Sequence, residues 1–205
     1  MSKMQSVESY IKNDIQKHSP GWCFTPISFS NLGSDESVRK ALSDLTKQGF
    51  IRRLTQGIYE YPRLHQVLGV VPPDLNVVAK VIAEKNGVEI QPTGAHAANL
   101  LGLSEQVPAR LVFLTEGPSR KVKIGNHELV FKKSTKKVMS MAGTKEGLAI
   151  QAIKHIGKEN VNEAIKTKIK KIFTPVESEK KIKENFKYAP AWVRSIIYEI
   201  LGLKR

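Results

Sequence analysis

Residues 34–61 read SDESVRKALSDLTKQGFIRRLTQGIYEY, and the side-chain period changes once within them. In the first half Val38, Ala41, Leu42 and Leu45 stand at i, i+3, i+4 and i+7, a single apolar stripe of helical spacing. Ser34-Asp35 ahead of the stripe is a cap signal, and Gly49 stands where a helix stops. The stretch therefore predicts a helix over Ser37–Gln48. Beyond Gly49 the pattern becomes β-prone, in Phe50–Leu54 and Ile58–Tyr61, with Thr55-Gln56-Gly57 as the Gly-containing turn of a hairpin.

Upstream, Gln5–His18 carries Val7, Tyr10, Ile11 and Ile15 at helical spacing and is closed by Pro20-Gly21. Thr25 is expected to cap a second, short helix opened by Pro26 and ending near Leu32-Gly33. Helix, short helix, capped helix and hairpin within some sixty residues is the layout of a winged helix-turn-helix.

Downstream, Pro62, Pro72 and Pro73 bracket a linker-like stretch. The expected division is a winged-helix domain over residues 1–62, a linker over 63–73 and a C-terminal domain over 74–205. In the last, Asp74 caps a helix bearing Leu75, Val78, Val81 and Ile82 that ends at Asn86-Gly87. Next come a strand, Val88–Gln91, a small-residue helix, Ala95–Leu101, and β-like runs at Leu111–Thr115, Lys121–Ile124 and Glu128–Phe131. Gly125-Asn126 marks a tight turn between the last two runs. Helices are expected at Lys145–Ile156, Val161–Phe173, Glu177–Phe186 and Ala191–Leu201. The fold class is α+β, a winged helix-turn-helix followed by a mixed α/β domain that ends in helices.

The chain has 205 residues and a net charge of +14, from 33 Lys+Arg against 19 Asp+Glu. Such an excess suggests a polyanionic partner, because phosphate attractions add and release counterions. Its distribution is uneven: residues 1–61 carry a net +2, residues 62–118 a net −1 and residues 119–205 a net +13. A nucleic-acid reader near the N-terminus must therefore be recognised by pattern and not by charge. The longest apolar stretches, such as Val67–Pro73, fall far short of the run of about 20 residues that spans a bilayer. Met1–Ser19 is too polar for a signal peptide, and a single cysteine, Cys23, excludes an internal disulfide and any multi-cysteine zinc site. The expected location is the cytoplasm.

A helix that reads DNA docks by one face and offers the opposite one to the major groove. With Val38, Ala41, Leu42 and Leu45 docked, the far side presents Glu36, Arg39, Lys40, Ser43 and Lys47. Arg and Lys can donate to guanine O6 and N7, and Ser can serve bases or phosphates. Arg52 and Arg53 on the first hairpin strand, and Gln56 at its tip, are candidates for phosphate or the minor groove. The same side chains also suit a merely solvated face, and some winged helices dock proteins only.

The chain resembles the AbiEi-type antitoxins of abortive-infection toxin–antitoxin systems, close to the branch known as a family of unknown function. The likeness is carried by Val38–Arg53 (VRKALSDLTKQGFIRR) with Gln56–Tyr59, by Thr93–Leu103 (TGAHAANLLGL), by Val107–Gly125 (VPARLVFLTEGPSRKVKIG) and by Gly143–Gly157 (GTKEGLAIQAIKHIG). It covers roughly residues 5–160, and its last two segments are the distinctive ones. The resemblance implies a winged helix that binds inverted repeats in its own promoter and represses the operon. It also implies a C-terminal domain that counteracts a cognate nucleotidyltransferase toxin and, being basic, helps to bind DNA. Arg120, Lys121, Lys123, Lys132, Lys133, Lys136 and Lys137, on strands and the following loop, are the candidates for that surface, toward DNA or toxin. Inverted repeats are usually read by symmetric pairs, so two copies per operator are expected, as a homodimer on DNA. The rival reading is a winged-helix regulator without a toxin, whose second domain senses a ligand or oligomerises.

No enzyme is expected. A nucleotidyltransferase needs carboxylates for two metal ions, and no Asp-x-Asp pair follows Gly33-Ser34 at short distance. Glu177-Ser178-Glu179 comes far too late, and Glu179-Lys180-Lys181 is remote from Asp74 for a metal-dependent nuclease. The five histidines, at 18, 65, 96, 127 and 155, are scattered with no i, i+4 pair; His96 is expected to pack at a helix start and Cys23 to be a small buried residue. Gly143-Thr144-Lys145 lacks the order of a phosphate loop. No cofactor, no metal and no membrane partner are expected. The lysines of 166–171 read as the wet side of an amphipathic helix, and Trp192, Ile196, Ile197 and Ile200 as core or a dimer contact.

Overall fold

The structure, a computed structural model, describes residues 6–173 and 178–203. Gln5 and Glu177, the expected starts of two helices, lie outside the described residues. The fold is mixed α+β with several sheets, and beyond the last strand it is helical. The chain packs as two compact units: residues up to Gly87 with Val122–Asn126, and Val88–Lys121 with His127 onward.

The first unit opens with α1 (Val7–Ile15), capped by Ser6, then β1 (Cys23–Phe24) and a 3-10 turn over Pro26–Phe29. Pro26 opens that turn as expected, but Thr25 makes no side-chain cap bond to it. Helix α2 (Asp35–Lys47) starts at Ser34, whose Oγ accepts from the backbone N–H of Ser37 at 3.3 Å. Strands β2 (Arg52–Thr55) and β3 (Ile58–Glu60) form the hairpin, and β1 joins its far side, giving the antiparallel order β1-β3-β2. Val38, Ala41, Leu42 and Leu45 of α2 are all buried, with Ile11, Ile15, Phe24, Phe29 and Ile51. Each fully buried Leu or Ile in such a cluster stabilises by about 1.5–3 kcal/mol. Phe24 stacks on Tyr59 and meets Phe29 edge-on, which ties β1, β3 and the 3-10 turn into one core.

Residues 63–73, expected as a linker, instead form a second hairpin, β4 (Leu64–His65) and β5 (Gly69–Val70), closed by the N–H of Val71 donating to the Arg63 carbonyl. After it, Asp74 caps α3 (Leu75–Lys85), accepting from the N–H of Asn76 at 2.8 Å. This helix, expected in the second domain, lies against β1 and β3 and buries Val78, Ala79, Ile82 and Ala83. The break between units falls at Gly87–Val88, because proline rigidity marked the hairpin while the apolar face of α3 found its partners upstream.

Beyond Gly87 the chain forms β6 (Ile90–Pro92), α4 (Ala95–Leu100), β7 (Arg110–Thr115), β8 (Arg120–Ile124) and β9 (His127–Lys133), the strands in the order β6-β7-β9-β8, and of β8 the residues Val122–Ile124 are counted with the first unit. Strands β7 and β9 are parallel, with Leu111 beside Leu129 and Phe113 beside Phe131. Helix α5 (Lys136–Met139), expected as loop, is capped by Thr135. Then follow α6 (Lys145–Ile156), a 3-10 turn at Lys158–Asn160, α7 (Glu163–Ile172), α8 (Glu179–Asn185) and α9 (Ala191–Leu201). Ala97 and Ala98 of α4 and Ala149 and Ala152 of α6 are fully buried, and their small side chains let the two helices close on each other. Ile153, Ile169, Phe186, Val193 and Ile197 complete this core. Gly147 is obligatory in α6: a Cβ there would stand 2.1 Å from the Met141 carbonyl oxygen.

Candidate nucleic-acid interface

The outward side of α2 is built by the burial of its inward side. Four apolar residues facing the core leave Arg39, Lys40, Ser43 and Lys47 exposed together. Arg39 reaches back one turn to Asp35 at 3.4 Å, and Lys47 to Asp44 at 3.3 Å. Exposed i, i+4 and i, i+3 pairs of this kind are worth well under about 1 kcal/mol, so a phosphate can displace them. Among the described residues Lys40 and Ser43 make no side-chain bond. The helix thus offers four adjacent polar groups that pay little to change partner.

Beside α2, the β2–β3 hairpin bends at an irregularity between Arg53 and Thr55, then turns through Gln56-Gly57. Gly57 has φ +67°, a left-handed backbone that a side chain would strain. Arg53 is exposed, with its Nε 3.4 Å from the Thr55 carbonyl, and Gln56 is exposed at the tip. A cleft of about 500 Å³ lies between these elements, lined by Asp35, Val38 and Arg39 of α2, by Arg53, Gln56 and Gly57, and by Lys85 of α3. Lys85 donates from Nζ to the Gln56 carbonyl at 2.9 Å, tying the hairpin turn to α3. No sequence signal marked Lys85, because its partner lies 29 residues away. Three cations, Arg39, Arg53 and Lys85, therefore border one cleft.

Arg52 does not belong to this set. It stands opposite Glu60 in the β2–β3 register, where its Nε donates to Glu60 Oε2, and its Nη2 donates to the Val71 carbonyl at 2.7 Å. Glu60 is fully buried, and a buried carboxylate requires a counter-charge. Adjacent strand residues face opposite ways, so of the expected pair Arg52–Arg53 only Arg53 is turned outward. The neighbouring Cys23, paired with Glu60 across β1–β3, is buried as expected, and burial first and then Glu60 push its thiol up to about 12.

The expected basic C-terminal surface is not one face. Along β8, Arg120 alternates with Lys121 and Lys123, and along β9 Lys132 alternates with Lys133. Arg120 lies over the Phe131 ring at 5.1 Å, while Lys121 shares Glu128 with Arg110. Lys136 and Lys137 are exposed on α5, and Lys137 stands over the Tyr188 ring at 5.8 Å. Lys166 pairs with Glu163 and Glu199, and Lys168 donates to the Gly102 carbonyl, so these two brace helices. Ile196, Ile197 and Ile200 are core, and His96 is buried at the start of α4 against Phe113. Among the described residues no group of three His, Cys, Asp or Glu is placed to hold a metal ion, and no helix is long and apolar enough to cross a membrane.

Residues 10–182 match the model of a family described as a family of unknown function, DUF6088, and the chain belongs to that family. No curated protein matches it. A solved structure described as that of the RV2827C protein from Mycobacterium tuberculosis is similar with a TM-score of 0.49, over 96% of this chain and 76% of that one, at 12% sequence identity.

Proposed function

We propose that the first unit is a winged helix that reads duplex DNA, with α2 as its recognition helix and the β2–β3 hairpin as its wing. The observation that carries this reading is the exposure of Arg39, Lys40, Ser43 and Lys47 on the outward side of α2, with Arg39 bordering the same cleft as Arg53 and Gln56 of the hairpin. In this reading α2 enters the major groove, Arg39, Lys40 and Lys47 donate to base edges or phosphates, and Arg53 and Gln56 hold the flanking backbone. Lys85 positions the turn and adds charge beside it.

The resemblance to AbiEi-type antitoxins extends the reading to the whole chain. The protein would repress its own operon at inverted repeats and counteract a cognate nucleotidyltransferase toxin through its second unit, by binding and without a cofactor. The exposed lysines at 132, 133, 136 and 137 supply the second unit with charge for DNA or toxin, and Lys123 is a further exposed cation of the expected basic surface.

The test is binding of the full chain to the DNA upstream of its own gene, with growth scored on co-expression with the adjacent gene. Base contacts cost about 1–3 kcal/mol each when removed, so replacing Arg39, Lys40 and Lys47 together by alanine should abolish specific binding. A triple variant that binds as the native chain does removes α2 from the interface. Failure of the full chain to rescue growth removes the antitoxin reading while leaving the DNA reading standing.

A further inference from the structure

Residues 64–73, LHQVLGVVPP, hold no formally charged side chain in a chain of net charge +14. They form the β4–β5 hairpin, and its apolar side chains point into solvent: Leu64 is 76% exposed, Val67 86%, Leu68 76% and Val70 52%. This is an ordered feature. His65 Nδ1 accepts from the N–H groups of both Val67 and Leu68 at 3.2 Å, which fixes the turn. At its base, Arg63 Nη2 donates to the Pro72 carbonyl at 3.3 Å, and Arg52 anchors the Val71 carbonyl. The sheet has two strands only, so each strand keeps an edge with unpaired backbone groups.

We propose that this hairpin is the surface through which two copies of this chain pair. Four side chains at these exposures leave roughly 450 Å² of apolar surface on one copy, within the size of functional patches. Burying two such patches against each other removes about 900 Å² from water before any backbone contact is counted, just under the roughly 1,000 Å² that is the lower limit of a specific interface. Charge selects the occupant. An acidic protein, a nucleic acid or an anionic lipid surface is held by lysines and arginines, and none lies within this stretch. The net charge of +14 is carried almost wholly by residues 119–205, so two copies meet with less repulsion through residues 64–73 than through that region. A two-fold pair places the same patch on both sides, and the open strand edges can add across it. The inference stands independently of DNA reading.

Sedimentation equilibrium of the full chain, from about 1 to 100 µM in moderate salt, tests it by mass action. The native chain should dimerise, and Val67→Asp with Leu68→Asp should weaken the dimer roughly tenfold or more, as expected where central apolar contacts are lost. Both positions are exposed, so circular dichroism should stay unchanged, as should melting at concentrations too low for the pair to form. Independently, Leu68→Cys should crosslink two copies under a mild thiol oxidant while Glu105→Cys should not, because the buried Cys23 stays unreactive. A native chain monomeric throughout the range overturns the proposal, as does a dimer that the charged variant keeps. A monomer that loses DNA or vesicle binding on Val67→Asp assigns the hairpin to that partner and likewise overturns it.

Discussion

Arg52 spans two elements with one guanidinium: Nε donates to the buried carboxylate of Glu60 on β3, and Nη2 donates to the Val71 carbonyl beyond the β4–β5 hairpin, at 2.7 Å. A residue that reads from sequence as a DNA contact is therefore an internal strut. Removing one partner of such a pair leaves an uncompensated buried charge, at a cost of about 3–5 kcal/mol. Arg52→Ala should lower the urea midpoint accordingly, and adding Glu60→Gln should recover part of the loss. An Arg52→Ala chain with native stability but weakened DNA binding would return Arg52 to the interface.

Arg53, one residue along, should behave in the opposite way. Its side chain is exposed and bonds only a local carbonyl, so Arg53→Ala should leave the melting temperature within a degree or so of native. Each phosphate contact contributes about 0.9 to the slope of log affinity against log salt, so the variant's slope should flatten by about one. Fluorescence anisotropy across a salt series measures it. An unchanged slope excludes Arg53 from phosphate contact.

The place of α3 can be tested by truncation. A fragment ending at Gly87 retains Val78, Ala79, Ile82 and Ala83 against the first unit, whereas one ending at Pro73 leaves that core open. Two buried aliphatic side chains alone account for about 3 kcal/mol or more. The longer fragment should unfold cooperatively and the shorter should be less stable by at least that much. Equal stability of the two would detach α3 from this unit.

Cys23 makes a pH statement. Its thiol rises from the ordinary 9.0 to about 12 in the folded chain, through burial and the adjacent Glu60. Between those values the folded state binds more protons than the unfolded one, so stability falls as pH climbs through that window and is unaffected below it. Replacing Cys23 by Ala should flatten that part of the profile. Thiol labelling near pH 8 should be slow until denaturant is added, and rapid native labelling would contradict the burial.

Much of this protein follows from local chemistry. The stripe Val38, Ala41, Leu42 and Leu45, the Ser34 cap and the Gly49 stop define α2 without reference to any other element, because helical period and capping are properties of neighbours in sequence. The same holds for the Gln56-Gly57 turn and for α6, where a Thr144 cap precedes an apolar helix. What local chemistry could not decide is which distant groups those elements meet. The parallel pairing of β7 with β9, the union of α3 with β1 and β3, and the Lys85 bond to Gln56 join residues far apart in the chain. The inward turn of Arg52 depends on its register with Glu60, which a shift of one residue would reverse. Proline spacing marked residues 62–73 as a break, yet hydrogen bonds accepted by His65 and donated by Arg63 and Arg52 order that stretch into a hairpin. Period, caps and turns are written in adjacent residues; partners are chosen only when the chain closes on itself, because burial and charge compensation act through space.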